Sequence, residues 1–361
     1  MKKVLVYFYS KNNLGDDLFV KIITDRYNNE FSSIVTVSNK SFDRTVNLKL
    51  YSNKAFFVLS KVADKILGRR NSMLRHFAKE RSVFVYVGGS IFIENDNLAM
   101  WHKEAVFYSQ LKIPYYILGS NFGPYKNPKF VGIVRDIVSG AQDVCFRDKA
   151  SYELFKDIPS VRVATDIAFT LNTGMFESVP KQTKTVIISV IDAYSRFDEV
   201  TADRYEREIM NLSRQLVKDG YKVTLMSFCK YEGDEIAAQR ILGKMGKKLQ
   251  ESVSSYAYTG DINEALGILS RSEIIVASRF HAAILGLVFG KKVLPIVYSD
   301  KTLNILRDLD FDGPIFDIRE IDKFSGRKFD VSSLRLNDVS KQKKLAEKQF
   351  QELDKILEKR K

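Results

Sequence analysis

Residues 274–286 read Ile274-Ile275-Val276-Ala277-Ser278-Arg279-Phe280-His281-Ala282-Ala283-Ile284-Leu285-Gly286. The apolar run at 274–277 predicts a buried strand, and the apolar stretch that begins at Ala282 predicts a helix. Ser278, Arg279 and His281 follow the strand at its carboxyl end, which is where open α/β sheets bind their ligands. In an extended turn, Arg279 and His281 point the same way. This βα unit is therefore the strongest candidate site, and a structural hydrogen-bonding role for His281 is the alternative.

The same alternation of strands and helices extends along the chain. Among its elements are predicted helices at 128–139 and 149–155 and a predicted strand at 143–146. The alternation of strands and helices stops in a polar, turn-rich segment at 171–184 and starts again at Thr185. This is typical of two α/β domains joined by a linker. We predict Rossmann-like βα domains at 1–175 and 183–330 that face each other across a cleft. A C-terminal helix at 333–361 is predicted to pack back on the body.

Composition excludes several classes of protein. The chain has 361 residues, of which 45% are hydrophobic, so it has enough apolar surface for two cores and is neither disordered nor collagen-like. Its two cysteines form no CxxC pair, and no metal site is expected. The first residues lack the pattern of a signal peptide, and no apolar run is long enough to span a bilayer. These features predict a cytoplasmic protein.

Further loops after predicted strands carry glycine or polar residues suited to ligands. They are Asn13-Leu14-Gly15-Asp16-Asp17 before a helix predicted to begin at Leu18, Gly88-Gly89 with Glu94 close behind, Gly119-Ser120-Asn121-Phe122-Gly123-Pro124, Arg147-Asp148, and Lys301. Glycine lets a ligand approach the backbone, and Asp16 is a natural N-cap. The planar fork of Arg147 suits a carboxylate or phosphate. For each loop the alternative is a capped turn, a surface ion pair or a surface lysine that binds nothing.

Taken in order, these motifs resemble the polysaccharide pyruvyl transferase family. The similarity spans residues 1 to about 305 and rests on Asn13–Asp17, Gly88-Gly89, Gly119 through Pro124, Arg147-Asp148 through Ser151, Asp166, Ser278–Ala282 and Lys301. This chain has Phe280 where the family more often has leucine. The resemblance implies a two-domain fold like that of the GT-B glycosyltransferases. It also implies transfer of the enolpyruvyl group of phosphoenolpyruvate onto two hydroxyls of a sugar, as a cyclic ketal, with release of phosphate.

The resemblance assigns phosphoenolpyruvate binding to Arg147, Arg279, His281 and the backbone of Phe280. The other residues expected to line the substrate site are Asn13, Gly15, Asp16, Asp17, Gly88, Gly89, Glu94, Ser120, Asn121, Ser278 and Lys301. Two guanidiniums suit a substrate with a phosphate and a carboxylate, and a histidine can give and take a proton near neutral pH. One of the acids Asp16, Asp17 and Glu94 would deprotonate the acceptor hydroxyl. No cofactor is expected besides phosphoenolpyruvate as co-substrate.

The positive charge of the chain is concentrated in one segment. The net charge is +13, and residues 40–81 hold eleven Lys and Arg against three acidic residues. No nucleic-acid-binding fold is recognisable, so nucleic acid is not an expected partner. Residues 55–79 have a helical pattern in which basic and apolar residues interleave, as in helices that lie on membranes. We expect this segment to rest on an anionic membrane surface and to meet a polyprenyl-diphosphate-linked acceptor there. A helix with a solvated basic face is the alternative.

Two other functions are compatible with these patterns. A GT-B-type glycosyltransferase that uses a nucleotide sugar has the same architecture, although a Ser-Arg-Phe-His cluster then replaces the ribose-binding carboxylate at the helix start. A non-catalytic sugar- or lipid-binding protein of an assembly complex is the second. It is favoured if the side chains of Arg147, Arg279 and His281 lie far apart or are buried away from solvent.

Overall fold

A computed structural model describes residues 2–27, 31–36, 49–95, 97–177, 183–323 and 329–357. The chain divides into two compact units. Unit 1 comprises Met1–Ser10, Asp16–Thr170 and Gln342–Lys361, and unit 2 comprises Lys11–Gly15 and Leu171–Lys341. Each unit is built on a parallel sheet with helical crossovers, which confirms the predicted α/β class with two Rossmann-like sheets.

Unit 1 contains, within the described ranges, a seven-stranded parallel sheet of order β3-β2-β1-β4-β5-β6-β7. Its strands are β1 (Lys2–Tyr7), β2 (Phe31–Thr36), β3 (Lys49–Tyr51), β4 (Val83–Val87), β5 (Tyr115–Ser120), β6 (Asp143–Phe146) and β7 (Val161–Val163). The helices between them are α1 (Leu14–Arg26), α2 (Lys54–Ile66), α3 (Ser72–Ala78), α4 (Leu98–Ser109), α5 (Pro128–Ser139) and α6 (Lys149–Phe155). Every residue of β5 and β6 is buried, as expected for the middle of a parallel sheet.

Unit 2 contains, in the part of the chain that the structure describes, a six-stranded parallel sheet of order β10-β9-β8-β11-β12-β13. Its strands are β8 (Thr185–Ser189), β9 (Lys222–Ser227), β10 (Val253–Ala257), β11 (Ile274–Ala277), β12 (Lys292–Val297) and β13 (Phe316–Asp317). Its helices are α7 (Gly174–Glu177), α8 (Glu199–Lys218), α9 (Asp234–Gly243), α10 (Lys247–Gln250), α11 (Ile262–Arg271), α12 (Phe280–Val288) and α13 (Asp300–Asp308). The last two α-helices in the described ranges are α14 (Ser340–Ala346) and α15 (Gln351–Leu357).

In both sheets the strand order reverses beside the first strand of the unit. β1 pairs with β2 on one side and β4 on the other, and β8 pairs with β9 and β11. Ligands of open α/β sheets bind beyond the carboxyl ends of the strands at such a reversal. The loops that follow β4 and β11 contain Gly88-Gly89 and Ser278–His281. The topology therefore gives these two predicted motifs the positions that ligands favour.

The start of α1 differs from the prediction. The helix begins at Leu14 rather than Leu18, and the side chain of Asn13 caps it by accepting the N–H of Gly15 at 3.1 Å. Asp16 is therefore not the N-cap. It lies inside the first turn, where a carboxylate is still favoured by the helix dipole.

Two other predicted helices have different bounds. The pattern at 55–79 forms two helices, α2 and α3. Gly68 and Asn71 lie between them, and the positive φ of both residues interrupts the regular helix. α12 begins at Phe280, so Arg279 and His281 stand at a helix start rather than in an extended turn. The side chains of Arg279 and His281 are expected to point the same way only in an extended turn, and His281 lies in a helix instead.

The C-terminal segment packs on unit 1. It forms α14, a 3₁₀ turn at Glu347–Phe350 and α15 rather than one continuous helix. The buried side chain of Gln349 accepts the N–H of Gly119 at 3.0 Å and donates to the carbonyl of Thr165 at 3.0 Å. In α15, Asp354 accepts hydrogen bonds from Arg26 and Tyr27 of α1. The contacts of Asp354 tie α15 to the first helix of the chain.

Across the described ranges, no helix combines the length and apolar character needed to cross a bilayer. The longest of them, α8, has 20 residues and is amphipathic. It buries Ala202, Ile209 and Leu216 and leaves charged residues on the opposite side, which is the pattern of a helix packed on a sheet.

Candidate functional site

Loops at the carboxyl ends of neighbouring strands of unit 1 are joined by hydrogen bonds. The N–H of Asn121, after β5, donates to the carbonyl of Gly89, after β4, at 2.8 Å. The N–H of Arg147, after β6, donates to the carbonyl of Ser120 at 2.8 Å. Ser120 and Asn121 are buried. These four predicted residues and Asp166 form one contiguous group, which we call the Arg147 cluster. Its members are Gly89, Ser120, Asn121, Arg147 and Asp166.

The guanidinium of Arg147 is the centre of the Arg147 cluster. Its Nη1 lies 2.7 Å from Oδ2 of Asp166, and its Nη2 donates to Oδ1 of Asn121 at 2.9 Å. The other oxygen of Asp166 accepts the N–H of Ala168 at 2.9 Å. The side chains of Arg147 and Asp166 are only 2% and 0% exposed, so this is a buried ion pair and not a surface pair. Such a pair holds the guanidinium in a fixed orientation. Arg147 thus meets the burial condition that favours a non-catalytic binding protein, and its direct contact with substrate stays a prediction.

Gly89 leaves the space that this guanidinium occupies. A Cβ atom at position 89 would lie 2.7 to 2.9 Å from the guanidinium atoms of Arg147. A real methyl group does not fit at that distance from a packed group. The glycine after β4 is therefore explained by the close approach of Arg147 to the backbone.

The three acids predicted as candidate bases have different surroundings. Asp16 and Asp17 are buried in the first turn of α1, and a Cβ at Gly88 would lie 3.5 Å from Oδ1 of Asp16. Glu94 instead accepts two backbone N–H groups of the loop before α5, and these hydrogen bonds lower its pKa. A carboxylate stabilised in its charged form is a weak proton acceptor. Asp16 thus borders the Gly88-Gly89 turn, whereas Glu94 organises a loop.

In unit 2, the guanidinium of Arg279 contacts two carboxylates. Its Nε donates to Oδ2 of Asp234 at 2.9 Å, another nitrogen contacts Oδ1 of the same residue, and Nη1 donates to Oε2 of Glu232 at 2.6 Å. Burial opposes the charge on Arg279, but Asp234 and Glu232 outweigh it and raise the pKa of the guanidinium. The same Glu232 oxygen accepts a hydrogen bond from Nη2 of Arg196 at 2.5 Å. One carboxylate oxygen therefore bridges two guanidiniums. These four residues form the Arg279 network.

His281 lies against the segment at 11–15. A Cβ atom at Gly15 would lie 1.9 Å from Nδ1 of His281, so the imidazole contacts the glycine backbone directly. The segment is held on unit 2, because the N–H of Leu14 donates to the carbonyl of Phe228 at 2.9 Å and Asn13 forms a bridge with Cys229. His281 itself is partly exposed. Two motifs far apart in sequence therefore meet at this side chain.

The motif at 13–17 is divided between the units. Asn13 and Gly15 belong with unit 2 and His281, whereas Asp16 and Asp17 belong with unit 1 and the Gly88-Gly89 turn. A single predicted loop thus contributes residues to both units. Sequence spacing alone gives no sign of this division.

The remaining candidates of unit 2 lie after β11 and β12. The hydroxyl of Ser278 is 2.9 Å from that of Tyr205, which also accepts the N–H of Ile191 at 3.2 Å. Ser278 is buried and fastens the end of β11 to α8. Phe280 is partly exposed, with its ring centroid 5.2 Å from that of His281. Lys301 is partly exposed in the first turn of α13.

Sequence reasoning missed the acids that hold the two arginines. The sequence marks Asp166 only as a motif residue and marks neither Glu232 nor Asp234 as a candidate. Each of them follows a strand, Asp166 after β7 and the other two after β9. Carboxyl ends of parallel strands meet at one edge of a sheet, so acids at strand ends were a usable signal. Which arginine each acid contacts depends on strand order, and strand order is not a local property of the sequence.

Fold and site together define a two-unit α/β protein in which each unit has an arginine at the carboxyl ends of its strands, with a histidine near that of unit 2. A profile of the family described as polysaccharide pyruvyl transferase matches residues 13–301, and the chain belongs to this family. It is therefore a member of a family of transferases of polysaccharide biosynthesis.

Among curated proteins, the chain is similar to the amylovoran biosynthesis protein AmsJ of Erwinia amylovora. The two are 24% identical over 255 residues, which cover 64% of this chain and 60% of that protein. The match thus spans less than two thirds of the relative's length.

Among solved structures, the chain resembles the UDP-GlcNAc 2-epimerase of Neisseria meningitidis bound to UDP-GlcNAc. The identity is 12% and the TM-score 0.58, over 90% of this chain and 91% of that one. The UDP-GlcNAc 2-epimerase of Methanocaldococcus jannaschii, in complex with UDP-GlcNAc and UDP, is similar with 11% identity and a TM-score of 0.54, over 96% and 98% of the two chains. These likenesses concern the fold alone.

Proposed function

We propose that this protein transfers the enolpyruvyl group of phosphoenolpyruvate to a sugar of a surface polysaccharide, or of its polyprenyl-diphosphate-linked precursor, as a cyclic ketal. The observation that carries the proposal is the contact of His281 with Gly15, because it joins two motifs of the family around one titratable side chain. The Arg147 cluster and the Arg279 network add guanidiniums suited to a phosphate and a carboxylate. The reaction would take place in the cytoplasm, at the inner leaflet of the plasma membrane.

The proposed reaction balances without a cofactor. Two sugar hydroxyls form C–O bonds to the central carbon of phosphoenolpyruvate, and the bond from that carbon to the phosphate oxygen breaks. One hydroxyl proton is gained by the methylene carbon, which becomes a methyl group, and the other leaves on hydrogen phosphate. Protonation of the methylene carbon creates positive character at its neighbour, to which the hydroxyls add in turn. The protein must therefore supply a proton donor, a proton acceptor and charge stabilisation for the leaving group.

In this proposal His281 either protonates the departing phosphate or carries the proton to the methylene carbon. The backbone of Phe280 and His281, at the start of α12, would bind the phosphate together with Arg279. Nη1 of Arg279 would become available when the substrate takes the place of the bridging oxygen of Glu232. Arg147 would bind an anionic group of a substrate in exchange for its bond to Asn121.

Asp16 is our choice for the base that accepts a proton from the sugar hydroxyl. It borders the Gly88-Gly89 turn, whereas the backbone donors around Glu94 make that residue a poor base. Lys301, in the first turn of α13 in unit 2, would also take part in substrate binding.

The test is incubation with phosphoenolpyruvate labelled in its carbon atoms and a panel of lipid-linked saccharides, read by mass spectrometry. We expect one acceptor to gain the pyruvyl group as free phosphate is released. In the variant His281→Gln, we expect kcat to fall by about 10²- to 10⁴-fold, the usual contribution of an acid–base group. The matched control is His102→Gln, because His102 is an exposed histidine on α4 of the other unit.

Unchanged product formation by His281→Gln would remove this residue from the mechanism. Thermal stabilisation by nucleotide sugars but not by phosphoenolpyruvate would favour a glycosyltransferase. Stabilisation by a saccharide with no turnover of either donor would favour a non-catalytic binding protein.

A further inference from the structure

Helix α2 of unit 1 exposes an apolar face to solvent. The structure records no buried residue in this helix. Its exposed apolar side chains, with exposed fractions in parentheses, are Val58 (60%), Leu59 (66%), Val62 (49%) and Ile66 (77%). At 3.6 residues per turn, positions 58, 59, 62 and 66 fall on one side of the helix. An apolar face of this size is costly in water unless something covers it.

Lysines border this apolar face. Lys54, Lys61 and Lys65 are exposed and recur at intervals of seven and four residues, which forms a row along one side of the face. Arg69 is exposed just beyond the end of the helix. A helix with apolar side chains on one face and cations beside them has the form of an interfacial membrane helix.

The opposite side of α2 fixes the helix to unit 1. The ring of Phe56 packs against Tyr51 at 5.3 Å and Phe77 at 5.7 Å between centroids. The side chain of Asp64 accepts the N–H of Ser72 at 2.9 Å, which ties α2 to the start of α3. The helix is therefore held by its other side, and its apolar face is presented outward without being needed for the core.

A cationic groove of about 770 Å³ lies next to α2. Its basic lining residues are Arg69, Arg75, His76, Lys79 and Lys112. No aspartate or glutamate lines it in the ranges that the structure describes. The apolar residues Phe56, Leu59 and Ala63 of α2 form one wall. Cations beside an apolar wall match phosphate headgroups joined to acyl chains.

We propose that the apolar face of α2 and the adjoining groove form a docking surface for an anionic lipid bilayer. The apolar face enters the headgroup region, and the lysines and groove cations contact lipid phosphates. The charge selects this occupant over a second copy of the chain, because two such faces would bring like charges together. The surface does not depend on the transfer reaction, so the two proposals fail separately.

The test is co-sedimentation with vesicles of equal parts phosphatidylglycerol and phosphatidylcholine, compared with phosphatidylcholine alone. We expect binding to the anionic vesicles at low salt and its loss at high salt, because salt screens exposed charges. Lys61→Gln with Lys65→Gln should weaken binding by roughly 5-fold per lysine. Leu59→Ser with Ile66→Ser should weaken it at least about tenfold at constant charge, because both side chains lose their apolar contact with lipid.

Unit 2 offers matched controls. Lys247→Gln with Lys248→Gln removes two exposed cations of α10, and Ile236→Ser with Leu336→Ser removes apolar side chains of 65% and 67% exposure. Both should leave vesicle binding unchanged. The proposal is wrong if anionic vesicles do not sediment the protein at low salt, or if the controls weaken binding as much as the α2 variants. It is also wrong if the α2 variants dissociate an oligomer and leave vesicle binding unaltered.

Discussion

At the scale of single residues, the structure requires glycine at positions 15 and 89 because a side chain contacts the backbone there. The space beside Gly15 is filled by His281, and that beside Gly89 by Arg147. Neither glycine is recorded with the positive φ that excludes other residues. Their role is therefore to admit a neighbouring side chain, and a methyl group at either position acts on the site through that neighbour.

We expect Gly15→Ala to lower kcat by about 100-fold, because displacement of a reacting group by an ångström costs this much. The helical position of Gly15 favours alanine, so the variant should remain folded. Gly89→Ala should have a similar effect through Arg147. The measurement is steady-state transfer from phosphoenolpyruvate, with circular dichroism as the check on folding.

The controls are Gly243→Ala in α9 and Gly132→Ala in α5, where an added Cβ meets no atom within 4 Å. Both should be fully active and slightly more stable, since alanine favours helix by up to about 1 kcal/mol. Normal activity of Gly15→Ala would show that the position of the His281 ring does not limit the reaction.

Variants of the buried pair Arg147–Asp166 distinguish a structural role of Arg147 from a substrate-binding role. Asp166→Ala should destabilise unit 1 by about 3–5 kcal/mol, because a guanidinium is left buried without its partner. Arg147→Met combined with Asp166→Leu should restore most of that stability, since no charge remains. Urea unfolding followed by the fluorescence of Trp101 measures this, because the chain has one tryptophan and it is buried in unit 1.

The activity of the double variant decides the role of Arg147. If this arginine contacts phosphoenolpyruvate, the refolded double variant stays inactive, and the KM for phosphoenolpyruvate rises in milder variants such as Arg147→Lys. A stable double variant with full transfer activity would assign the pair to folding alone.

At the scale of elements, predictions succeed where local chemistry sets both ends. The helix at 128–139 and the strands at 143–146 and 274–277 have the bounds predicted for them. Asn127 caps α5, with Pro128 next to it, and Asp148 caps α6, which begins at Lys149 as predicted. These are interactions among residues a few positions apart, and a sequence displays them directly.

Predictions fail where the end of an element depends on something distant or on an unusual backbone angle. The break between α2 and α3 lies at Gly68 and Asn71, whose left-handed conformation is one option among several for either residue. The two-residue strand β13 exists only because β12 lies beside it. The same reasoning applies to the site: its loops were found from strand ends, but the pairing of Arg147 with Asp166 required the order of strands.

At the scale of the whole molecule, the chain forms most of unit 1 up to Thr170, continues into the main part of unit 2 and returns to unit 1 at Gln342. The return is secured by Asp354, whose carboxylate accepts hydrogen bonds from Arg26 at 2.7 and 3.0 Å and from Tyr27 at 2.7 Å. Tyr27 is buried, and Asp354 accepts the hydrogen bond that its hydroxyl donates. The last helix thus completes the first unit.

We expect Asp354→Ala to destabilise unit 1 by about 2–3 kcal/mol, because it removes the acceptor of a buried hydroxyl and of a guanidinium. Glu352→Ala is the control on the same helix, since Glu352 pairs with Lys355 at the surface and should contribute about 0.5 kcal/mol or less. Urea unfolding with Trp101 fluorescence separates the two. Equal stability of both variants would mean that α15 does not support the first unit.

The return of the chain has a consequence for biosynthesis. A ribosome releases Gln349 and Asp354 only after every residue of unit 2 has been made. The sheet that begins with β1 therefore lacks the contacts of Gln349 and Asp354 until the sheet of unit 2 has been translated. During that interval chaperones have access to the nascent first half, and a stop codon shortly before Gln349 would leave it permanently unfinished.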